Sequence, residues 1–352
     1  MKTAYKITFS FGIAHGINDF IAGYLLALLS VTSTNTTLNT LAFLGYSIIA
    51  FGGQLPAGII LDKSQKLKFY SLLSVALMLI AVTASGYSVL FAIFCSSIAS
   101  AFIHICGGAT CYLYQKDNST FNGIFTAPGV FGLIAGGILG SITLPFYYFL
   151  FLLLPLTILF FIFKNTNFPK YASSTTPTNN TLIDTHDFFM LLLLLAIAVR
   201  SMFWNFLHIL CFNNNTWLWG LGISAALGKL VGGYLTYKLN WKRYLLVSML
   251  SAVILLYFSK NNLITFCIGV ALLQSAVPIT LLLMQNYLQN NPATATALSL
   301  GTAIILAGLP TYLDSFRQLQ NSNPYLMVIS FLLILTNGWL IFTNKDIIKR
   351  KS

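Results

Sequence analysis

One long apolar stretch, Phe11 to Leu29, carries His15, Asn18 and Asp19. With its flanks, residues 7–31, it is long enough as a helix to cross a bilayer core of ~30 Å at ~1.5 Å per residue. A carboxylate inside such a span costs at least ~2.5 kcal/mol on insertion scales. Helical spacing puts His15, Asp19 and Gly23 on a single stripe, which must face protein or a water-filled cavity. An imidazole one turn from a carboxylate suits reversible proton binding. Asp19 could hold the proton and His15 could share or relay it. The alternative is a static buried pair, Asp19 with His15 or with Arg200, that only fixes helix packing.

Other ionisable or polar groups lie inside apolar stretches: His104, Arg200, His208, Lys229 and Gln274. Arg200 offers a planar fork of donors that fits an anionic group. Lys229, within GKLVGG, either snorkels to the surface along its stem or points inward as a substrate or counter-ion group. His208 sits near the end of its stretch and reads as an interfacial residue. Three imidazoles and a carboxylate invite the idea of a metal site from His15, Asp19, His104 and His208. The depths estimated by counting along the helices put His208 too far away, so no metal is expected, and no other cofactor is implied.

These groups need a bundle to hold them. Of 352 residues, 57% are hydrophobic and only 7% charged. A soluble protein carries roughly 25% charged residues, so the chain reads as a multi-span membrane protein with no nucleic-acid role despite its net charge of +12. Apolar spans are predicted at 7–31, 38–61, 69–85, 87–114, 121–142, 145–163, 188–210, 217–237, 244–259, 263–288, 293–313 and 325–343. All should be helices, because open backbone cannot cross lipid. The cysteines (Cys95, Cys106, Cys111, Cys211, Cys267) lie in or beside these spans without metal-site spacing and read as small core residues.

Orientation follows from basic residues. With both termini cytoplasmic, that side holds fifteen Lys and Arg, among them Lys6, Lys63, Lys66, Lys116, Lys238 and Lys349, and the other side only Lys260 and Arg317. A polar Ser/Thr/Asn/Pro-rich segment at 164–187 reads as a cytoplasmic linker between two six-helix halves, 1–163 and 188–352. The halves echo one another. The second span ends GGQLPAGIILDKSQKLKFY and the eighth LGKLVGGYLTYKLNWKRYL, so Gly53 falls on Gly228, Gly58 on Gly233 and Lys63 on Lys238. Repeated halves are a transporter design.

Six plus six spans, a central linker and the loop after the second span resemble the major facilitator superfamily. Its signature there is Gly-x-x-x-Asp-(Arg/Lys)-x-Gly-(Arg/Lys)-(Arg/Lys), and Gly58, Asp62, Lys63 and Lys66 stand in matching places. Gln65 replaces the family's Gly, Leu67 replaces a base, and Tyr237 stands where the second copy would have an acid. The resemblance implies an all-α membrane fold of about twelve helices in two six-helix bundles. It also implies that Asp62, ion-paired with nearby lysines, latches neighbouring helices in one conformation; the alternative is a surface cluster that obeys the positive-inside rule.

The His15–Asp19–Gly23 stripe looks like that of fosmidomycin-resistance-type and other drug-efflux members. The Gly-rich fifth span (Gly123, Gly129, Gly132, Gly136, Gly137, Gly140) loosely matches an antiporter element, and close helix packing explains it equally well. The family's first, fourth, seventh and tenth helices line its cavity, and His15, Asp19, His104, Arg200, His208 and Gln274 fall on those helices. Asp19 and Arg200 each lie about twelve residues, ~18 Å, from the cytoplasmic end and could face one another.

The expected function is therefore secondary transport of a small organic solute by alternating access, with proton coupling through Asp19 and His15. Arg200, His104, Lys229 and Gln274 are the substrate-contact candidates. Export by antiport comes first, and uptake of a metabolite or metal chelate by symport second. A non-transporting receptor or scaffold would keep the bundle without coupling. Zinc-protease, Ser/His/Asp and phosphate-binding signatures are missing, so an enzyme is not expected. The expected setting is a bacterial inner membrane, with a monomeric protein whose partners are substrate, protons and lipid.

Overall fold

The computed structural model describes residues 2–143, 146–170, 185–212, 214–259, 262–308 and 323–343. Lys260, Arg317, the lysines and arginine from Lys345 to Lys351, and most of the expected linker (171–184) lie outside the described residues. The helices are α1 (Lys2–Thr32), α2 (Thr36–Ser64), α3 (Leu67–Ala84), α4 (Val89–Tyr114), α5 (Ser119–Ser141), α6 (Leu150–Lys164), α7 (Thr185–Cys211), α8 (Asn215–Lys238), α9 (Trp241–Phe258), α10 (Leu263–Tyr287), α11 (Pro292–Gly308) and α12 (Asn323–Thr343). Among the described residues there is no strand, and nine helices are long and apolar enough to cross a membrane. The other three, α6, α11 and α12, are shorter apolar helices that fall where the sequence predicts its sixth, eleventh and twelfth spans.

Helix starts are set by side chains that accept from orphan backbone N–H groups. Asn35, Asn118, Asn214, Asn240 and Asn262 cap α2, α5, α8, α9 and α10, and Ser88 caps α4. In a chain with no Glu and seven Asp, uncharged caps do this work close to the membrane surface.

Three interruptions were not legible in the hydropathy pattern. A π turn at Ile48–Gly52 breaks α2, and a second at Leu298–Thr302 breaks α11. Ser275 and Ala276 form a turn inside α10, where Pro278 removes a backbone donor and its ring disfavours continuing the helix. All three lie at the level of the central cavity, where irregular backbone can be satisfied by protein rather than lipid.

The buried apolar residues form two clusters. One comes mostly from the helices before residue 164, the other mostly from those after 187. Around them the outer surface is apolar too: Phe9, Phe94, Leu154, Val247, Ile264 and Phe331 are all at least half exposed. An apolar surface of this extent fits lipid, not water. The helices α1 and α5 cross at backbone contact. A Cβ on Gly132 would overlap the carbonyl oxygen of Gly16, and one on Gly136 that of Phe20. Gly132 and Gly136 of α5 are thus used in close packing.

Candidate functional site

A cavity of about 230 Å³ lies where both groups of helices meet. Its walls include His15 and Asp19 from α1, His104 from α4, Arg200 from α7, Lys229 from α8 and Gln274 from α10. Helix irregularities also supply lining: Phe51 from the π turn of α2, Ser299 and Leu300 from that of α11, and Gln274 and Val277 on either side of the α10 break. His208 does not line the cavity. Lys229 points inward, with Nζ 3.4 Å from the carbonyl oxygen of Thr126 on α5.

On one wall three acceptor-bearing groups converge. His15 Nε2 lies 3.1 Å from Asp19 Oδ2, and His104 Nε2 lies 3.9 Å from Asp19 Oδ1. The imidazole rings meet edge to face with centroids 4.3 Å apart. The other nitrogen of each ring faces a backbone carbonyl: His15 Nδ1 is 3.0 Å from Phe125 O, and His104 Nδ1 is 2.7 Å from Ser100 O. A carbonyl can only accept, so each Nδ1 carries a hydrogen, and each Nε2 faces Asp19 with a lone pair in the neutral ring or with a second N–H in the cation. Asn18 Nδ2 donates to Asp19 Oδ1 at 3.0 Å. With both rings neutral, the two lone pairs and the carboxylate form a group of acceptors suited to a cation between them.

Gly129 on α5 leaves the space this arrangement needs, because a Cβ there would overlap His15 Nε2. One ligand atom from each of His15, Asp19 and His104 lies within 4.8 Å of the others. The depth argument against a metal therefore applies to His208 and not to these three.

α7 and α8 bring cations to the same lining. Arg200 is buried, and its Nη1 donates to Thr280 Oγ1 at 2.9 Å. Among the described residues no carboxylate lies within 4 Å of Arg200 or Lys229, and Asp19 is the only acid in the lining. Asp19 and Arg200 share the cavity but do not form the direct pair that their depths allowed; the partner of Asp19 is His15. Sequence reasoning missed Thr126, Ser201, Trp204, Asn205 and Ser299, which complete the lining. Short polar and aromatic side chains in apolar spans give no spacing signal of their own.

The signature loop is placed at one end of this assembly. Gln65 ends α2 in the left-handed region at φ 54°, where the resembled family has Gly. Asp62 is buried and accepts from Ala293 N (3.1 Å), Thr294 N (2.8 Å) and Thr294 Oγ1 (2.6 Å). It caps the start of α11, where a carboxylate meets unpaired N–H groups and the positive end of the helix dipole. Lys63, Lys66 and Lys68, the pairing partners that the resemblance implied for this carboxylate, are exposed, and the contacts to Ala293 and Thr294 are ones the sequence did not point to. Gly58 permits the approach, since a Cβ there would sit 2.9 Å from Ala293 O.

A second contact mirrors the first. The 175-residue offset that relates Gly58 to Gly233 also relates Thr294 to Ser119. Ser119 Oγ donates to Gly233 O at 2.8 Å and lies 2.9 Å from Thr236 Oγ1. Hydroxyls and a glycine backbone thus join α5 to α8, and Tyr237 is left exposed. Between the two contacts Gln285 donates to Gly108 O (2.9 Å) and Thr296 Oγ1 (3.0 Å), and its Oε1 accepts from Asn122 Nδ2 (3.0 Å). This buried network ties α4, α5, α10 and α11 together.

No protein-family model matches the chain, and no curated protein does. Solved structures match over nearly its whole length. A variant of the E. coli fucose:proton symporter FucP aligns with a TM-score of 0.68 at 13% identity, covering 97% of this chain and 98% of that one. FucP in the outward conformation aligns at 0.62 and 14%, covering 96% and 100%. The human organic anion transporter MFSD10 (TETRAN) aligns at 0.61 and 16%, covering 95% and 98%. At such identities the likeness is one of fold: the chain has the architecture of major facilitator superfamily transporters.

Proposed function

We propose that this protein is a secondary transporter of the major facilitator superfamily that moves a small organic solute by alternating access, coupled to protons. The observation that carries the reading is the His15–Asp19–His104 cluster on the wall of a cavity that both helix groups line. Asp19 and His15 bind the proton. His104, a substrate contact in the sequence reading, joins them because its Nε2 faces the same carboxylate. Arg200, Lys229 and Gln274 contact substrate. The Asp62 cap and the Ser119–Gly233 contact hold the cavity closed at one face, the cytoplasmic one if both termini are cytoplasmic. The protein would work as a monomer in a bacterial inner membrane, as two six-helix bundles (1–163 and 188–352) joined by the 164–187 linker.

Export by antiport and uptake by symport both use such a cluster. The pointers to efflux in the sequence were the first-span stripe and the glycines of α5. Gly129, Gly132, Gly136 and Gly140 pack against α1 and Gly123 against α8, which accounts for most of them without an antiport role and leaves export less support than the cavity chemistry leaves symport.

The test is proton movement in sealed vesicles that contain purified protein, wild type beside Asp19→Asn, across a panel of compounds. A compound that moves protons with wild type and not with the variant supports the reading. Proton movement that survives the substitution removes Asp19 from the role. Folded wild-type protein that gives neither proton movement nor counterflow of any compound points to the receptor or scaffold alternative.

A further inference from the structure

We infer that the substrate is a small organic anion, its carboxylate held between Arg200 and Lys229, and that it travels with the proton rather than in exchange for it. This rests on the transporter reading above and adds the substrate's charge and the sign of the coupling.

The first argument is charge balance. With neutral imidazoles the cavity lining holds two cations, Arg200 and Lys229, against one carboxylate, and that carboxylate is turned to His15. The guanidinium has five N–H donors. Thr280 takes one, and no carboxylate among the described residues comes within 4 Å. A buried cation without a counter-charge is costly, and an anion of the right size relieves that cost. A carboxylate matches the guanidinium fork through two parallel hydrogen bonds.

The second argument is size and lining. About 230 Å³ is below the ~300–1,000 Å³ of pockets for drug-sized ligands, so the solute is of metabolite size. Phe51, Trp204, Ile197 and Leu300 offer an apolar body somewhere to lie, and Gln274 and Asn205 offer a few polar contacts.

The third argument is the sign of linkage. The groups facing the proton cluster are His15 and Asp19 on α1, His104 on α4, Arg200 on α7 and Lys229 on α8. Tyr46 on α2 reaches it through Ser100, with its hydroxyl 3.4 Å from Ser100 Oγ, and α5, α10 and α11 present no charge to it. A proton on the cluster raises the positive charge that an anion meets in the same cavity. Proton and anion therefore strengthen each other's binding, and the effect is reciprocal. Joint binding is the condition for symport; a cationic substrate would reverse the sign and give antiport.

The experiment measures binding by thermal stabilisation of purified protein at pH 6 and pH 8. The probes are benzoate, phenylacetate and lactate, with benzylamine and benzyl alcohol as cationic and neutral counterparts. All three carboxylates stay ionised across this range. The expected result is stabilisation by at least one carboxylate, at least tenfold tighter at pH 6, weakened tenfold or more in Arg200→Gln and less in Arg200→Lys. The pH dependence should weaken in Asp19→Asn, which leaves His15, His104 and Lys229 in the cavity. Stabilisation by benzylamine in place of the carboxylates overturns the inference, as does carboxylate binding that tightens toward pH 8 or is indifferent to Arg200→Gln. Failure of every carboxylate to stabilise folded wild type overturns it too. Counterflow of the same probe is measured in parallel. Binding with the expected sign but no counterflow leaves the anion site standing and sinks the transporter reading. Counterflow of benzylamine alone does the reverse.

Discussion

Asp62 and Thr294, 232 residues apart in the chain, are joined by two hydrogen bonds, from the backbone N–H and from the hydroxyl of Thr294 to one carboxylate oxygen at 2.8 and 2.6 Å. The other carboxylate oxygen takes the N–H of Ala293. One side chain at the end of α2 thus provides the first turn of α11 with acceptors.

Replacing that charge should loosen the joint. Asp62→Asn keeps the shape but loses the charge and part of the accepting capacity, at a cost of about 1.5–3 kcal/mol for hydrogen bonds to a charged group. Amide exchange at residues 293–297 should speed up by tenfold or more, while exchange in α9 stays as it was. Unchanged protection of the α11 start would mean that the cap does not hold this end closed.

Gln65 is a conformational test. At φ 54° the backbone suits Gly and tolerates Gln, whereas a β-branched side chain is strained there. Gln65→Gly should be neutral or stabilise by a few tenths of a kcal/mol, and Gln65→Val should destabilise by about 1–2 kcal/mol. Thermal unfolding in detergent reads both, and equal midpoints for the two variants would contradict the assignment.

The glycines of α5 should divide sharply. Gly129→Ala pushes against His15 Nε2, so proton coupling should fall while the protein stays folded. Gly132→Ala meets the backbone of α1 and should cost about 1–3 kcal/mol of stability. A Cβ at Gly137 has nothing within 4 Å, so Gly137→Ala should be neutral or gain up to ~1 kcal/mol from helix propensity. Melting curves and substrate-driven proton movement measured side by side separate the three.

Gln285 is central to a buried network, and Gln285→Leu leaves Asn122 Nδ2 only its longer contact to Pro278 O and Thr296 Oγ1 only its bond to Pro292 O. Leaving buried polar groups unmatched costs about 1–3 kcal/mol. A lower unfolding temperature is expected, with partial recovery when Asn122→Ala is added. Additive losses in the double variant would show that the two residues do not interact.

The sequence by itself determined the class of the molecule and the position of its helices, because burial in lipid demands long apolar runs and leaves few places for charge. α4, for example, spans Val89–Tyr114 where hydropathy predicts 87–114. It also singled out Asp19, His15, His104 and Arg200, since an ionisable group in such a run stands out without any structure.

Tertiary structure decided which of these groups meet. Nothing in the chain order says that His104 shares Asp19 with His15 while Arg200 stays apart from it, or that Lys229 turns inward to Thr126 instead of outward. Those outcomes depend on how far each helix is rotated about its axis, and that rotation is set by backbone-to-backbone approaches such as Gly132 against Gly16. The same holds for the contact between Asp62 and the start of α11. The signature residues around Asp62 were readable, but their partner was not, because a helix start becomes a binding site for a carboxylate only when folding brings it alongside.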